Sequence, residues 1–262
     1  MQLRIDGHTA FAATGGRPFD PALPAVVFVH GSGLDHSVWA LHSRWFAHHG
    51  RSVLAVDLPG HGRSDGPPPP SIAAMADWVA AAIVAVGVEQ AAIVGHSMGS
   101  LVAIEAAARH PGKVRSLGLV GAAAAIPVHP DLLAAAAAND HAAIDMVAIW
   151  GHGQHAGLGG SRAPGLWMLG GAVRVLERAR PGVLSNDLAA CNAYQDGAAA
   201  AAKITQPTAL VLGERDLMTP LKAGKALATA IAGSRTVTLP GAGHMLMAEH
   251  PDEVLKALAS VV

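Results

Sequence analysis

The run Ile93-Val94-Gly95-His96-Ser97-Met98-Gly99 decides how this chain of 262 residues is read. The short apolar stretch at 91–94 stops at a glycine, and a helix-forming stretch, 98–110, begins one residue after a serine. Glycines two places before and after that serine are what a sharp strand-to-helix turn requires, because side chains there would crowd the backbone. Such a turn lifts the Ser97 hydroxyl clear of the sheet end. The helix start points the Met98 N–H at the same space, where it can hold an oxygen that gains negative charge. The segment therefore reads as a serine nucleophile on an elbow, because a strand stands before it and a helix after it.

Similar apolar runs recur on both sides, at 26–29, 53–56, 117–120, 209–212 and 236–239. None shows polar alternation, so they read as strands covered on both faces. Helical stretches lie between them at 39–48, 72–86, 221–232 and 252–260. Strand and helix alternating in this way imply an α/β fold: a mostly parallel, twisted sheet with helices on both faces. Asp6-Gly7 suits a type I′ turn and predicts an opening hairpin between residues 3–5 and 9–13. The rhythm breaks once, between Val120 and Thr208, where helical patches at 131–138, 141–149, 172–180 and 187–194 flank a Gly-rich piece at 151–171. A structureless loop of that length is improbable. The expected organisation is a core of residues 1–120 and 206–262 with a helical cap inserted at 121–205. Pro67 to Pro70 reads as a short polyproline spacer in a surface loop.

A serine hydroxyl is a poor nucleophile at neutral pH and needs a base, which in turn needs a group to orient it. His244, in Gly241-Ala242-Gly243-His244-Met245, follows the last strand-like run, and Asp216, in Gly213-Glu214-Arg215-Asp216, follows the one before it. In a parallel sheet both loops belong to the edge that carries Ser97. Glu214 is the rival carboxylate. The chain order is serine, acid, histidine. A second oxyanion donor is expected from His30-Gly31-Ser32-Gly33, with the Ser32 amide first and Gly33 as the fallback. Gly31 and Gly33 would let the backbone approach the substrate. Asp57-Leu58-Pro59-Gly60-His61-Gly62-Arg63-Ser64-Asp65 reads as an architectural turn held by its own polar side chains, with His61 and Arg63 outside the chemistry.

Composition removes other classes of function. Eighteen basic and nineteen acidic residues leave a formal charge of −1, so no positive field gathers nucleic acid or an anionic membrane. No apolar run reaches the ~18 residues of a membrane span, and the N-terminus lacks a signal-like apolar core, so a cytoplasmic protein is expected. The lone cysteine, Cys191, has no thiol partner and reads as a small apolar filler. Fifteen histidines invite a metal hypothesis, but there is no HExxH, and neither His48-His49 nor His152 with His155 has carboxylates or thiols at ligand spacing. No metal site and no cofactor are expected; the expected partner is a small-molecule substrate.

Taken together, His30-Gly31, the Asp57 to Ser64 turn, Gly95-His96-Ser97-Met98-Gly99, Gly213-Glu214-Arg215-Asp216 and Gly243-His244 resemble the α/β-hydrolase superfamily over essentially the whole chain. The resemblance implies the α/β-hydrolase fold, a triad of Ser97, Asp216 and His244, an oxyanion hole of Ser32 and Met98, and a cap. Serine at 97 argues against the related haloalkane dehalogenases and epoxide hydrolases, which attack with an aspartate there. Ser32 differs from the tryptophan of haloperoxidase-like relatives, and Met245 from the tryptophan of many carbon–carbon hydrolases. Residues 121–130 hold no carboxylate, so Asp216 has no rival after the sixth strand.

Substrate preference should come from the cap. Met146, Val147, Trp150, Leu166, Trp167, Met168 and Leu169, with Leu217, Met218 and Met245 at the catalytic edge, can line an apolar pocket or pack the cap onto the sheet. Trp150, Trp167, Met218 and Met245 are the substrate contacts expected. Arg162 is either a partner for a substrate carboxylate or a solvated surface cation. The expected activity is a serine hydrolase acting on a carboxylic ester or lactone of small to medium, largely apolar character. A carbon–carbon hydrolase or lyase with the same triad, and a slow-turnover small-molecule receptor, remain alternatives.

Overall fold

Alternation of side chains along each strand builds two cores from one sheet. Val27 and Val29 face one side while Val26 and Phe28 face the other, and all four are fully buried. Leu210 and Leu212 share the first side, with Val211 on the second. This is why the runs lack polar alternation: both faces need apolar cover. The computed structural model describes residues 1–160 and 167–262.

The strands are β1 (Gln2–Ile5), β2 (His8–Ala13), β3 (Ala25–Val29), β4 (Ser52–Val56), β5 (Ala91–His96), β6 (Val114–Val120), β7 (Thr208–Gly213) and β8 (Arg235–Leu239). They form an eight-stranded sheet in the order β1-β2-β4-β3-β5-β6-β7-β8. β1 and β2 are the antiparallel hairpin, turning through Asp6 and Gly7 at φ 49° and 80°, as a type I′ turn requires. β2 meets β4 antiparallel, and every later pairing is parallel. One expectation fails at β8. Its first four residues are exposed because it is the edge strand, so it is not covered on both faces.

Helices α1 (Ala40–His48), α2 (Ile72–Ala85) and α3 (Met98–Arg109) connect the first strands. Between β6 and β7 come α4 (Pro130–Ala137), α5 (His141–Trp150), α6 (Gln154–Gly157), α7 (Met168–Glu177), α8 (Val183–Ala193) and α9 (Gly197–Ala201). α10 (Leu221–Ala230), α11 (Leu246–Glu249) and α12 (Pro251–Leu258) complete the chain. α2 is capped by the Ser71 hydroxyl on the Ala74 N–H and buries one side under the sheet with α3. The short α6, α9 and α11 have no signal in the sequence, since a helix of four or five residues spans little more than one period. Among the described residues no helix is long and apolar enough to cross a membrane.

Candidate active site

The loops leaving β3, β5, β7 and β8 all emerge at the carboxyl edge of the parallel sheet, where ligands of such sheets bind. They meet the inserted helices across a cavity of about 480 Å³ lined by Gly31, Ser32, His96, Ser97, Met218, His244 and Met245 from the core. Ile126 to His129, Leu132, Val147, Trp150 to His152, Ala172, Leu176, Leu188 and Cys191 line it from the insertion. Among the described lining residues there is no lysine, arginine, aspartate or glutamate, and most of them are apolar.

Ser97 stands at φ 54°, ψ −119°, a conformation that costs a non-glycine residue about 1–3 kcal/mol. Its surroundings impose it. The Ser97 N–H donates to Val120 O at 3.0 Å, and its carbonyl accepts the Ser100 N–H at 2.8 Å and the Ser100 hydroxyl at 2.6 Å. The serine is thereby held at the junction of β5 and α3 with its side chain in the cavity.

Asp216 is braced by four donors. Oδ1 accepts the amides of Met218 (2.9 Å) and Thr219 (2.8 Å), and Oδ2 accepts the Thr219 hydroxyl (2.6 Å) and His244 Nδ1–H (2.8 Å). Burial alone would raise this carboxyl, but the His244 pairing and the Thr219 donors outweigh it and hold it below the usual carboxylate range. Donation from Nδ1 leaves Nε2 as the basic nitrogen. Nε2 is buried and without a protein partner among the described residues. The Ser97 hydroxyl makes no hydrogen bond to it; such contacts commonly tighten only when substrate binds.

The His244 loop is tied down from three directions. His96 Nε2–H donates to the His244 carbonyl at 3.0 Å, so the residue beside Ser97 grips the His244 backbone. Burial, with His244 close by, pushes His96 down to about 3, which keeps its ring neutral. The amides of His244 and Met245 both donate to Gly151 O, at 2.9 and 2.8 Å. The buried carboxylate of Glu249 joins Gly243 N–H (3.0 Å) to Gly153 N–H (2.9 Å). Glu249, Thr219 and this use of His96 were not read from the sequence. Glu249 reaches Gly153 and His96 reaches His244 across 96 and 148 residues, which no spacing rule gives, whereas Thr219 lies three residues from Asp216, within the span of a local turn signal.

The amides of Ser32 and Met98 donate to no acceptor among the described residues; Ser32 lines the cavity with Ser97, and Met98 follows Ser97 at the start of α3. Gly33, the fallback donor, is differently placed: its N–H donates to Asp187 Oδ2 at 2.9 Å, and it does not line the cavity. Gly31, Trp150, Met218 and Met245 do line it. Trp167 does not, being 67% exposed. Val147 and Leu217 also line the cavity, while Met146, Met168 and Leu169 stand outside it, Met146 packing among the inserted helices. Leu166 and Arg162 lie outside the described residues. Cys191, expected as filler, is buried, yet it lines the cavity; burial pushes its thiol up to about 12.

His61 and Arg63 stay away from Ser97, with the Arg63 guanidinium stacked 3.9 Å over Phe11 and the rival acid Glu214 capping Gly241 N–H. Asp35, His36 and Asp57 bring possible metal-ligating atoms within 4.8 Å of one another. Their carboxylate oxygens are already taken by protein donors: Asp57 by the His36 amide and ring (2.8 Å each) and Arg63 N–H, Asp35 by Ser37 N–H and Arg178. That is a structural network rather than a vacant ligand set.

A serine elbow after the strand that follows β3 in space, with an acid on the loop leaving β7 and a histidine on the loop leaving β8 at the same parallel edge, defines the α/β hydrolase class of folds. The alpha/beta hydrolase family model matches residues 26–257, and the chain belongs to that family. It is 32% identical over 259 residues to a pimeloyl-[acyl-carrier protein] methyl ester esterase of Aromatoleum aromaticum, covering 91% of this chain and 98% of the other. A protein of the same name from Chromobacterium violaceum is 34% identical over 257 residues, 90% of this chain and 93% of the other. The crystal structure of the enol-lactonase from Burkholderia xenovorans superposes with a TM-score of 0.88 at 25% identity, covering 100% of this chain and 99% of that one.

Proposed function

We propose that this protein is a serine hydrolase that cleaves a neutral, largely apolar carboxylic ester or lactone through an acyl-enzyme on Ser97. The observation that carries the reading is the buried pair of His244 Nδ1 and Asp216 Oδ2 at 2.8 Å, with His244 lining the same cavity as a serine held on a strained elbow. Asp216 fixes the tautomer that leaves His244 Nε2 basic and stabilises the imidazolium formed on proton uptake. Ser97 Oγ bonds to the carboxyl carbon as its proton passes to Nε2. The carbonyl oxygen becomes an oxyanion on the amides of Ser32 and Met98. Collapse breaks the acyl–oxygen bond, and the departing alkoxide takes the proton from Nε2. Water, deprotonated by His244, then releases the acid and restores Ser97.

The ester-cleaving and lactone-cleaving relatives support the bond type, since both reactions begin with attack on a carboxyl carbon. Cavity chemistry supports the substrate class. A free carboxylate would meet no described cationic lining residue, whereas an acyl or alkyl chain would meet Leu132, Val147, Leu176 and Leu188. We propose further that the insertion at 121–205 acts as the cap that shapes this cavity.

The test is fluorophosphonate labelling with peptide mapping, followed by p-nitrophenyl butyrate hydrolysis. Ser97 takes the label, and Ser97→Ala abolishes turnover. A label elsewhere, or full activity in Ser97→Ala, overturns the reading.

A further inference from the structure

Spacings of three and four residues turn Leu184, Asp187, Leu188 and Cys191 onto one face of α8. That face lies on the 31–33 loop. Asp187 Oδ2 accepts the Gly33 N–H at 2.9 Å, Cys191 Sγ lies 3.7 Å from Ser32 Oγ, and a Cβ at Gly33 would meet Leu184 Cδ1 at 2.9 Å. Gly33 itself turns at φ +68°, which bends the loop toward the helix.

Asp187 has no solvent exposure, and a buried carboxylate is costly unless paired. Its partner is His61, whose Nε2–H donates to Oδ2 at 2.8 Å while Nδ1–H donates to Pro59 O at 3.0 Å. A ring that donates from both nitrogens is an imidazolium. Burial opposes that charge, but Asp187 and the Pro59 carbonyl outweigh it and raise the His61 pKa. None of the acyl-transfer steps uses this ion pair.

We infer that Asp187 is a positioning residue for the oxyanion hole: it draws the Gly33 N–H out of the cavity, which fixes the loop with the neighbouring Ser32 amide presented to the reacting carbonyl. His61 holds the carboxylate in place for that task through the 2.8 Å contact to Oδ2. The oxyanion site is thus completed by a helix of the insertion, so catalytic competence requires α8 to be docked on the core. This inference rests on the serine-hydrolase reading given above.

The experiment compares Asp187→Ala, Asp187→Asn and wild type on p-nitrophenyl butyrate, with active sites counted by fluorophosphonate titration. Inhibition by a trifluoromethyl ketone, which forms a tetrahedral serine adduct, is set against inhibition by the alcohol of the same skeleton. Asp187→Ala lowers kcat per titrated site by about 10- to 100-fold with KM changed less than about threefold, as a displaced oxyanion donor requires. Ketone affinity falls by a similar factor and alcohol affinity does not. Asp187→Asn, which still offers an acceptor to Gly33, recovers most of the loss. Should Asp187→Ala fail to fold, Gly33→Ala, which forces the loop off Leu184 while leaving Asp187 intact, must show the same split between kcat and KM. Wild-type kcat per site in Asp187→Ala, equal losses for ketone and alcohol, or an Asn variant no better than Ala overturns the inference. A wild-type protein that takes no label at Ser97 and cleaves no ester removes the underlying reading instead.

Discussion

Gly95→Ala should damage catalysis more than it damages the fold. A Cβ at residue 95 would stand 2.0 Å from Gly99 O, 2.3 Å from Gly99 C and 2.6 Å from Ser100 N, all backbone atoms of the first turn of α3. Ordinary contact begins near 3.4 Å, so β5 and α3 must separate by about 1.4 Å at the elbow. Gly99 is wedged in turn against the carbonyls of Val29 and His30, so the turn has little room to slide. Overpacking of this kind costs about 1–3 kcal/mol, and for a chain of this size each kcal/mol lowers Tm by roughly 2–4 °C. Moving a nucleophile by about 1 Å costs on the order of 100-fold in rate. The assay is calorimetry together with p-nitrophenyl butyrate turnover per fluorophosphonate-titrated site. Gly112→Ala serves as the control, because nothing lies within 4 Å of its added Cβ, and it should keep wild-type Tm and rate. A Gly95→Ala protein within about 1 °C and twofold of wild type would show that the elbow does not depend on close backbone approach.

Asp216→Asn keeps the size of the side chain but removes the charge that orients His244, and kcat should fall by about 10⁴-fold; a variant retaining a tenth of the wild-type rate speaks against the triad. Acid stability offers an independent check. Burial lowers His30 and His42 to about 4 and His96 to about 3, so between pH 6.5 and 4 these three side chains bind up to three more protons in the unfolded chain than in the folded one. The stability from burying them neutral is complete above the unfolded value of 6.5 and is lost as pH falls, at roughly 3–4 kcal/mol per pH unit near pH 5. His61, raised rather than lowered, is protonated in both states there and adds nothing to the slope. His42→Gln, far from Ser97 and bonded to Pro251 O, should flatten the slope by about a third in urea titrations; an unchanged slope would mean that His42 is not neutral in the folded chain.

Most of the sheet was legible because each strand writes its burial into a few adjacent residues. The elbow was legible for a related reason: Gly95, Ser97 and Gly99 are neighbours in the chain as well as in space. Asp216 and His244 could be placed at the carboxyl edge from the strand preceding each, since parallel strands all end on the same side. β8 misled although its run, Thr236-Val237-Thr238-Leu239, alternates threonine with apolar residues; as the edge strand it lacks a neighbour's cover on its outer side. Gly33 and Trp167 misled for another reason. Position in a loop or an insertion says which elements are near the cavity, not which way a particular amide or ring is turned.

A pattern of small residues around a serine, repeated apolar runs and the order serine, acid, histidine were sufficient for the fold class and for placing Ser97, Asp216 and His244 on loops of one sheet edge, because each signal is local or follows from strand direction. The grip of His96 on the His244 carbonyl, the Glu249 bridge between two loops and the meeting of Asp187 with Gly33 belong to packing alone. Asp187 and Gly33 lie 154 residues apart. Such contacts depend on how whole helices seat against the sheet, and that seating is settled by the summed burial of many side chains rather than by any residue's immediate neighbours.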